Sequence, residues 1–362
     1  MRIGLVGHHV APIAPPFAGG VESFTWYLAR WLGERGHDVV LFAPPGTRVP
    51  GVEVRDLALS SPLSTAARND ISMPAPEFMD AHHAYQRLML ELCADEDGFD
   101  LLHSNSLHYL PVAMAPLLPM PSLLTLHTPP TPWLESALRA RPGPVPWLSA
   151  VSHATARMWR EVAVIEDVVC NGVDLDVWTP GPGGEAAVWC GRMVPEKAPH
   201  MAIDAARMAG VPLRLAGPIV DGDYWDREIT HRLGNDVTYA GHLGHADLAG
   251  LMGASRVALM TPSWEEPFGL AAAEAIATGT PVAAFAQGGL TTVVVPTAGC
   301  LAAPGDVRAL AAAISRAGEL PRAGVRAHAV AQLGLDVMGE GYEELYDTIT
   351  SGQTAPVALH SL

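Results

Sequence analysis

The sole lysine of the chain, Lys197, stands five residues after Arg192 in the segment Gly-Arg-Met-Val-Pro-Glu-Lys. This loop is predicted to leave the carboxyl end of a strand and to precede a helix. Two cations there suit a diphosphate, with the arginine as a planar fork and the lysine as a point charge. The alternative is a pair of solvated loop cations. The pattern GxxxxGK[ST] is absent, so Lys197 is not an ATPase-type lysine. A second constellation is Glu266-Pro-Phe-Gly-Leu-Ala-Ala-Ala-Glu274. Pro267 and Gly269 place a helix start near Gly269, with Glu266 ahead of it and Glu274 in its second turn. The amides of Phe268, Gly269 and Leu270 then offer donors to an anion. Two glutamates eight residues apart on a helix lie up to roughly 12 Å apart. A retaining glycosidase needs its carboxylates at about 5 Å. The spacing instead suits two hydroxyl-bearing groups at opposite ends of one ligand, such as a sugar and a ribose. The alternative is a helix-capping Glu266 and a surface Glu274, although a carboxylate among alanines needs a partner.

Two smaller features point to the same kind of ligand. Gly19-Gly20 precedes the first predicted helix, and paired glycines let backbone approach a phosphate. His127 ends a predicted strand, where an imidazole can meet a sugar or a developing charge, or serve as a structural histidine. Other patterns carry less. Asp221-Gly-Asp223 and Asp174-Leu-Asp176 have the DxD spacing of metal-dependent sugar transferases, but aspartate is common in turns and no third ligand clusters with them. No metal site is expected. His8-His9 and His82-His83 lack a Cys or His partner cluster, and adjacent strand side chains point to opposite faces. Neither GxGxxG nor GxSxG occurs at a first strand or elbow, which disfavours a dehydrogenase and that hydrolase type.

The elements that position these residues form one grammar used twice. Ile3–Val6 is a short apolar run without alternation, predicted as a strand buried on both faces. Val21–Arg35 has helical spacing, with Phe24, Leu28, Trp31 and Leu32 on one side, and Val39–Phe42 is the next strand. That βαβ unit is followed by predicted strands at Leu101-Leu102, Leu123–Leu126 and Trp147–Val151. The pattern restarts with strand Ala187–Cys190 and helix His200–Ala209. Strands Leu213–Ala216, Thr238-Tyr239, Arg256–Met260 and Pro281–Phe285 continue it, with helices Asp247–Met252, Gly269–Ala277 and Val307–Ala317. Val177–Gly184 is rich in Pro and Gly and reads as a linker. The expected organisation is two doubly wound α/β domains over residues 1–178 and 179–336, a helix over 337–350 and a tail over 351–362. In such sheets ligands bind at the carboxyl ends of the strands, so two domains facing each other make a cleft for one.

Composition narrows the function classes. The chain has 362 residues, 22 basic and 38 acidic, a net charge of −16, and 21 of its basic side chains are arginine. Nucleic-acid binding needs a basic face, and docking on anionic lipid needs basic clusters. Cys93, Cys170, Cys190 and Cys300 are scattered with no CxxC pair, so neither a zinc site nor a disulfide framework is indicated. The first apolar stretch is too short for a signal peptide. Residues 109–124 contain Pro111, Pro116, Pro119 and Pro121, which disfavours a membrane helix. The expectation is a cytoplasmic, reduced protein with no stable membrane insertion.

The motifs together resemble a known family. The segments GRMVPEKAPHMAIDAA and TPSWEEPFGLAAAEAIATGTPVAA, with the following Gly288-Gly289, are similar to the donor half of retaining glycosyltransferase family 4, which has the GT-B fold. Val151-Ser152, Asn171-Gly-Val-Asp174 and Gly19-Gly20 match the same family in order, and the resemblance runs from Met1 to about Tyr346. It implies metal-independent, retaining hexosyl transfer from a nucleotide-diphosphate sugar with no cofactor. It implies that Arg192 and Lys197 hold the diphosphate and that Glu266 contacts sugar hydroxyls. The amides of Phe268, Gly269 and Leu270 would support sugar and phosphate, and Glu274 would bind the ribose. From the first domain, Gly20 would approach the diphosphate and His127 the sugar near the reacting carbon. The last helix would cross back onto the first domain.

Two positions depart from the family pattern. Thr292 replaces a common glutamate after the Gly288-Gly289 pair, and Ala198 replaces the usual glycine after the motif lysine, a change expected to be harmless. UDP is favoured over GDP on family frequency. The acceptor is expected to be a soluble small molecule or saccharide that meets the first domain at loops 7–20, 60–80 and 103–110. The competing readings are a nucleotide-sugar 2-epimerase on the same fold, which would lack the Glu266–Leu270 element, and an inactive sugar-nucleotide binder.

Overall fold

A computed structural model describes residues 1–58, 63–70, 72, 76–94, 98–140, 146–165 and 167–352. Contacts divide the chain into two compact units. The first holds Met1–Ala150, Ala156–Val169 and the chain from Gly339; the second holds Val151–Thr155 and Cys170–Met338.

The first unit is built on an all-parallel sheet of seven strands. They are β1 (Arg2–Val6), β2 (Asp38–Ala43), β3 (Glu53–Asp56), β4 (Leu101–Ser104), β5 (Ser122–Leu126), β6 (Trp147–Ala150) and β7 (Asp167–Val168), in the order β3-β2-β1-β4-β5-β6-β7. Register runs Ile3 to Val39 on one side of β1 and Ile3 to Leu101 on the other. The central strands are buried on both faces, which is why their sequences are apolar runs without alternation. The helix Gly20–Glu34 buries Phe24, Leu28, Trp31 and Leu32, as its spacing requires. Edge strand β3 has the sequence Glu-Val-Arg-Asp and is half-exposed, so it carries no apolar signal. The segment expected as a loop over 60–80 contains a short helix, Thr65–Arg68, and the first turns of a longer one, Pro76–Ala94. Residues 60–62, 71 and 73–75 of that expectation, and 353–362 of the expected tail, lie outside the described residues. The proline-rich stretch forms a short helix, Leu110–Met114, and a single 3-10 turn. Among the described residues no helix is long and apolar enough to cross a membrane.

The second unit carries a six-stranded parallel sheet of β8 (Ala187–Cys190), β9 (Leu213–Ala216), β10 (Val237–Tyr239), β11 (Ala258–Met260), β12 (Val282–Phe285) and β13 (Gly299–Ala302). Their order is β10-β9-β8-β11-β12-β13. One sheet face is covered by helix Leu270–Ala277, whose Ala272, Ala273, Ala275 and Ile276 are fully buried. The other face is covered by helices Pro199–Ala209 and Val307–Ala317. Counted from its own first strand, the first sheet reads 3-2-1-4-5-6-7 and the second 3-2-1-4-5-6, so in both the strand order reverses between the first and fourth strands. Ligands of doubly wound sheets bind at that reversal. The loops that leave it are 7–19 and 105–109 in the first unit, and 191–198 and 261–269 in the second. Segment 177–184 is part of the second unit, tied down by the amides of Gly181 on Thr278 O at 3.1 Å and of Gly183 on Gly253 O at 2.8 Å. The final helix, Leu335–Thr350, contributes to the second unit through Met338 and to the first from Gly339 onward.

Candidate active site

Strand β8 delivers the cation loop to the reversal point of the second sheet. Arg192 is exposed and pairs with Glu196 at 3.6 Å. Lys197 ends a 3-10 turn, Pro195–Lys197, and its ammonium donates to Glu266 Oε2 at 2.5 Å. The Trp264 indole N–H donates to the same oxygen at 3.2 Å, and the ammonium lies 5.3 Å from the Trp264 ring centroid. Side-chain exposure is 23% for Lys197 and 14% for Glu266, so neither is a solvated loop charge. Glu266 does not cap the following helix either. Gly269 holds that position, at φ +100°, with no side-chain cap bond.

Backbone and hydroxyl bonds hold these side chains in register. Thr261, just past β11, donates to the carbonyls of Lys197 and Ala198 at 3.0 Å each, and its oxygen accepts from the Trp189 indole at 3.0 Å. The Ser263 amide donates to Glu196 O at 2.8 Å, joining loop 261–269 to the cation loop. The carbonyl of Pro267 accepts from Ser152 Oγ at 2.5 Å and Thr155 Oγ1 at 3.0 Å. The Glu266 carbonyl accepts from the Gly289 amide at 2.6 Å. A Cβ at Gly288 would stand 2.2 Å from Glu266 O, and one at Gly289 would stand 2.5 Å from Phe268 Cα. The glycine pair is therefore a shelf against which the Glu266–Phe268 backbone rests. Trp264, Thr261 and Thr155 had been assigned no role from sequence. Trp264 sits inside the glutamate motif, two residues from Glu266; the two threonines leave no comparable trace.

Glu274 lies one turn into helix Leu270–Ala277 and is partly buried among alanines. No hydrogen-bond partner for its carboxyl occurs among the described residues, and burial pushes its pKa up to about 8. The thiol of Cys190, at the end of β8, is pushed up by burial and then by the Glu274 charge. The carboxyl thus faces the carboxyl end of the sheet without a protein donor.

The remaining predicted residues belong to the first unit. Gly19 is extended, at φ −164°, and precedes the helix that starts at Gly20. The His127 ring packs edge-on against Phe24, with centroids 4.7 Å apart, and its Nε2 bonds to Asn105 Oδ1 at 3.0 Å. Burial, and then the neighbouring His8, lowers its pKa to about 3. The ring is thus a neutral imidazole with Nε2 already engaged, so it offers polarity and no positive charge. The two DxD pairs also have assigned work. Asp221 caps a helix by accepting from the Tyr224 amide at 2.9 Å, and Asp174 accepts from the Asp176 amide at 3.0 Å.

Comparison with known proteins then decides the family. Residues 18–177 match the family model described as Glycosyltransferase Family 4, and residues 181–330 match that described as Glycosyl transferases group 1. A D-inositol 3-phosphate glycosyltransferase of Mycobacterium tuberculosis strain H37Rv is 30% identical over 347 residues, covering 81% of this chain and 70% of the relative. The chain belongs to glycosyltransferase family 4.

Solved structures show the same fold for this family 4 chain. A sucrose-phosphate synthase from Thermosynechococcus elongatus aligns with TM-score 0.73 at 23% identity, over 97% of this chain and 100% of that one. The Anabaena protein HepE in complex with UDP and glucose aligns with TM-score 0.73 at 19% identity, over 96% and 100%. The architecture is GT-B, with two Rossmann-like domains. Within the family pattern, Ala198 was expected to be a harmless replacement, and the backbone corrects that expectation. Ala198 has φ +44° and ψ +52°, the left-handed region, and is the single non-glycine residue with positive φ among those described. A Cβ there costs roughly 1–2 kcal/mol. Thr292 lies in the short helix Leu290–Val293 and brings no carboxylate to the glycine shelf.

Proposed function

We propose that this glycosyltransferase moves a sugar, with retention, from a nucleotide-diphosphate donor to a soluble small-molecule or saccharide acceptor, without a metal. UDP is the favoured donor nucleotide, with GDP as the alternative. The observation that carries this reading is the convergence of Lys197 and Glu266 beside a helix that presents Glu274 without a protein partner. Arg192 and Lys197 would neutralise the diphosphate as it leaves, and the amides of Phe268, Gly269 and Leu270 would add fixed dipoles, so stabilisation is electrostatic and preorganised. In the free protein Glu266 holds the lysine. On donor arrival Lys197 would turn to phosphate and Glu266 to sugar hydroxyls, an exchange of one charge-assisted bond for two. Glu274 would accept from the ribose hydroxyls. For Gly19, Gly20 and His127 the proposed roles are those of the family pattern, toward the diphosphate and the transferred sugar.

Support for UDP comes from HepE, whose structures hold UDP and UDP-glucose. Support for metal independence comes from Asp221 and Asp174, which are committed to backbone amides. The four cysteines are free thiols, which accords with a cytoplasmic setting. The glutamate element disfavours a 2-epimerase, and the Lys197–Glu266 pair disfavours a degenerate binder.

The test is thermal denaturation with a panel of UDP- and GDP-sugars, followed by donor turnover with the stabilising one. A rise in Tm with one donor, absent in Lys197→Ala, is the expected result. No shift with any donor would overturn the proposal, and a shift without turnover would favour the inactive binder.

A further inference from the structure

At the carboxyl end of the first sheet, four segments bring imidazoles and aromatic rings together. His108 stacks on Tyr85 at 4.6 Å and on Tyr109 at 4.7 Å, and meets Trp133 edge-on at 5.0 Å. The Tyr109 hydroxyl bonds His82 Nδ1 at 2.9 Å, which ties helix Pro76–Ala94 to the loop after β4. Trp133 lies in the first turn of helix Pro132–Arg139 and is 41% exposed despite its place in the ring cluster. Three polar atoms beside these rings are buried without a partner: His8 Nδ1, Asn105 Nδ2 and His108 Nε2. Asn105 is fully buried and His108 is 2% exposed. Leaving such atoms unsatisfied costs about 1–3 kcal/mol each, and native proteins leave few of them without a reason.

We propose that this end of the first sheet is an acceptor subsite for an uncharged polyhydroxylated ring, a sugar or cyclitol without phosphate. This rests on the transferase reading above and names the substrate class for its acceptor side. The ring would lie against the exposed face of Trp133, and its hydroxyls would meet Asn105, His108 and His8. A neutral imidazole pairs one donor with one acceptor, which matches a hydroxyl that also donates and accepts. A phosphate offers acceptors and recruits arginine forks or lysine. No arginine or lysine joins these rings or polar atoms among the described contacts. The charges that act on His108 are the other histidines, and the charge that acts on Tyr85 is the Glu22 carboxylate, which would repel an anion. Burial, and then nearby histidines, lowers His8 and His108 to about 4, so these two rings offer no positive charge near neutral pH.

The test uses the full chain with UDP present and two matched pairs of probes: inositol with inositol 3-phosphate, and glucose with glucose 6-phosphate. Binding is read by tryptophan fluorescence and by saturation-transfer NMR. The neutral member of at least one pair is expected to bind about tenfold or more tightly than its phosphate, a difference of about 1.4 kcal/mol. Trp133→Ala should abolish that binding while the UDP-induced Tm rise persists, and His108→Gln, which keeps a donor and an acceptor, should retain more of it than His108→Ala. Tighter binding of the phosphorylated members, or binding of neither while the UDP shift is present, would overturn the subsite. Absence of the UDP shift in the unaltered chain would instead count against the donor reading, so the two failures are distinguishable.

Discussion

Glu274 shows how much one desolvated carboxyl can say about a site. Its pKa is raised to about 8 by burial, against an ordinary glutamate value in the unfolded chain. The unfolded state therefore releases this proton near pH 4.5 while the native state keeps it until about pH 8. Stability from this residue is fully present below the lower value and is lost as pH rises through the upper one. Glu274→Gln should remove that decline and make the protein more stable than its parent at pH 8, as urea midpoints across the pH range would show. The same substitution should weaken UDP binding above about pH 8, where the parent residue is a carboxylate and an amide accepts ribose hydroxyls less well. At Lys197, the loss of one or two charge-assisted bonds worth about 1.5–3 kcal/mol predicts that Lys197→Ala raises the donor Kd by roughly 10- to 100-fold. Lys197→Arg should restore only part of this, because the longer, planar guanidinium places its donors elsewhere than the compact ammonium that meets Glu266 at 2.5 Å. The types and spacing of Lys197, Glu266 and Glu274 were legible in the sequence. Their protonation and pairing were not, because Lys197 and Glu266 meet across 69 positions of chain and Glu274 is desolvated by its folded surroundings.

Two loops act as elements whose backbone decides the site. The left-handed turn at Ala198 aims Lys197 and opens helix Pro199–Ala209, and a glycine there would adopt the same conformation without strain. Ala198→Gly should therefore raise stability by about 0.5–1 kcal/mol after the extra chain entropy of glycine is subtracted, a rise in Tm of a few degrees with donor binding preserved. The opposite outcome is expected at the glycine shelf. Gly289→Ala places a methyl 2.5 Å from Phe268 Cα and the Pro267 carbonyl, so the glutamate loop must shift. Donor affinity and Tm should fall together, whereas Gly222→Ala, with nothing within 4 Å, should change neither. The elements expected from sequence lie within a residue or two of their observed bounds. Those missed include helix Pro76–Ala94, whose start was expected as a loop, and β3, β13 and helix Arg322–Gln332, which are mixed-polarity or short segments.

Across the molecule, the last helix completes the first unit from the far end of the chain. The Tyr346 hydroxyl bonds His103 Nδ1 at 2.7 Å, His103 Nε2 meets Thr125 at 2.7 Å, and Thr125 reaches Ser149 at 2.8 Å. This buried line runs across β4, β5 and β6 and is closed by a residue more than two hundred positions away. Gly339 makes the approach feasible, since a Cβ there would stand 2.3 Å from the Trp31 ring. Tyr346→Phe should cost about 1–3 kcal/mol by orphaning a buried imidazole nitrogen, read from urea denaturation, and Gly339→Ala should destabilise the same unit through overpacking.

What the sequence determined by itself was periodic or local. Apolar runs marked the central strands, glycine and proline punctuation marked the loops after them, and the motif residues marked the family. These signals are intrinsic to short stretches of chain, because strand burial and turn geometry are written in consecutive residues. Only the tertiary structure decided that Lys197 rests on Glu266, that Glu274 is desolvated, that Ala198 is strained and that Trp133, Asn105 and His108 share one end of the first sheet. Each of those facts depends on segments that meet in space after folding, and the energies involved arise from desolvation and close approach, which no local pattern encodes.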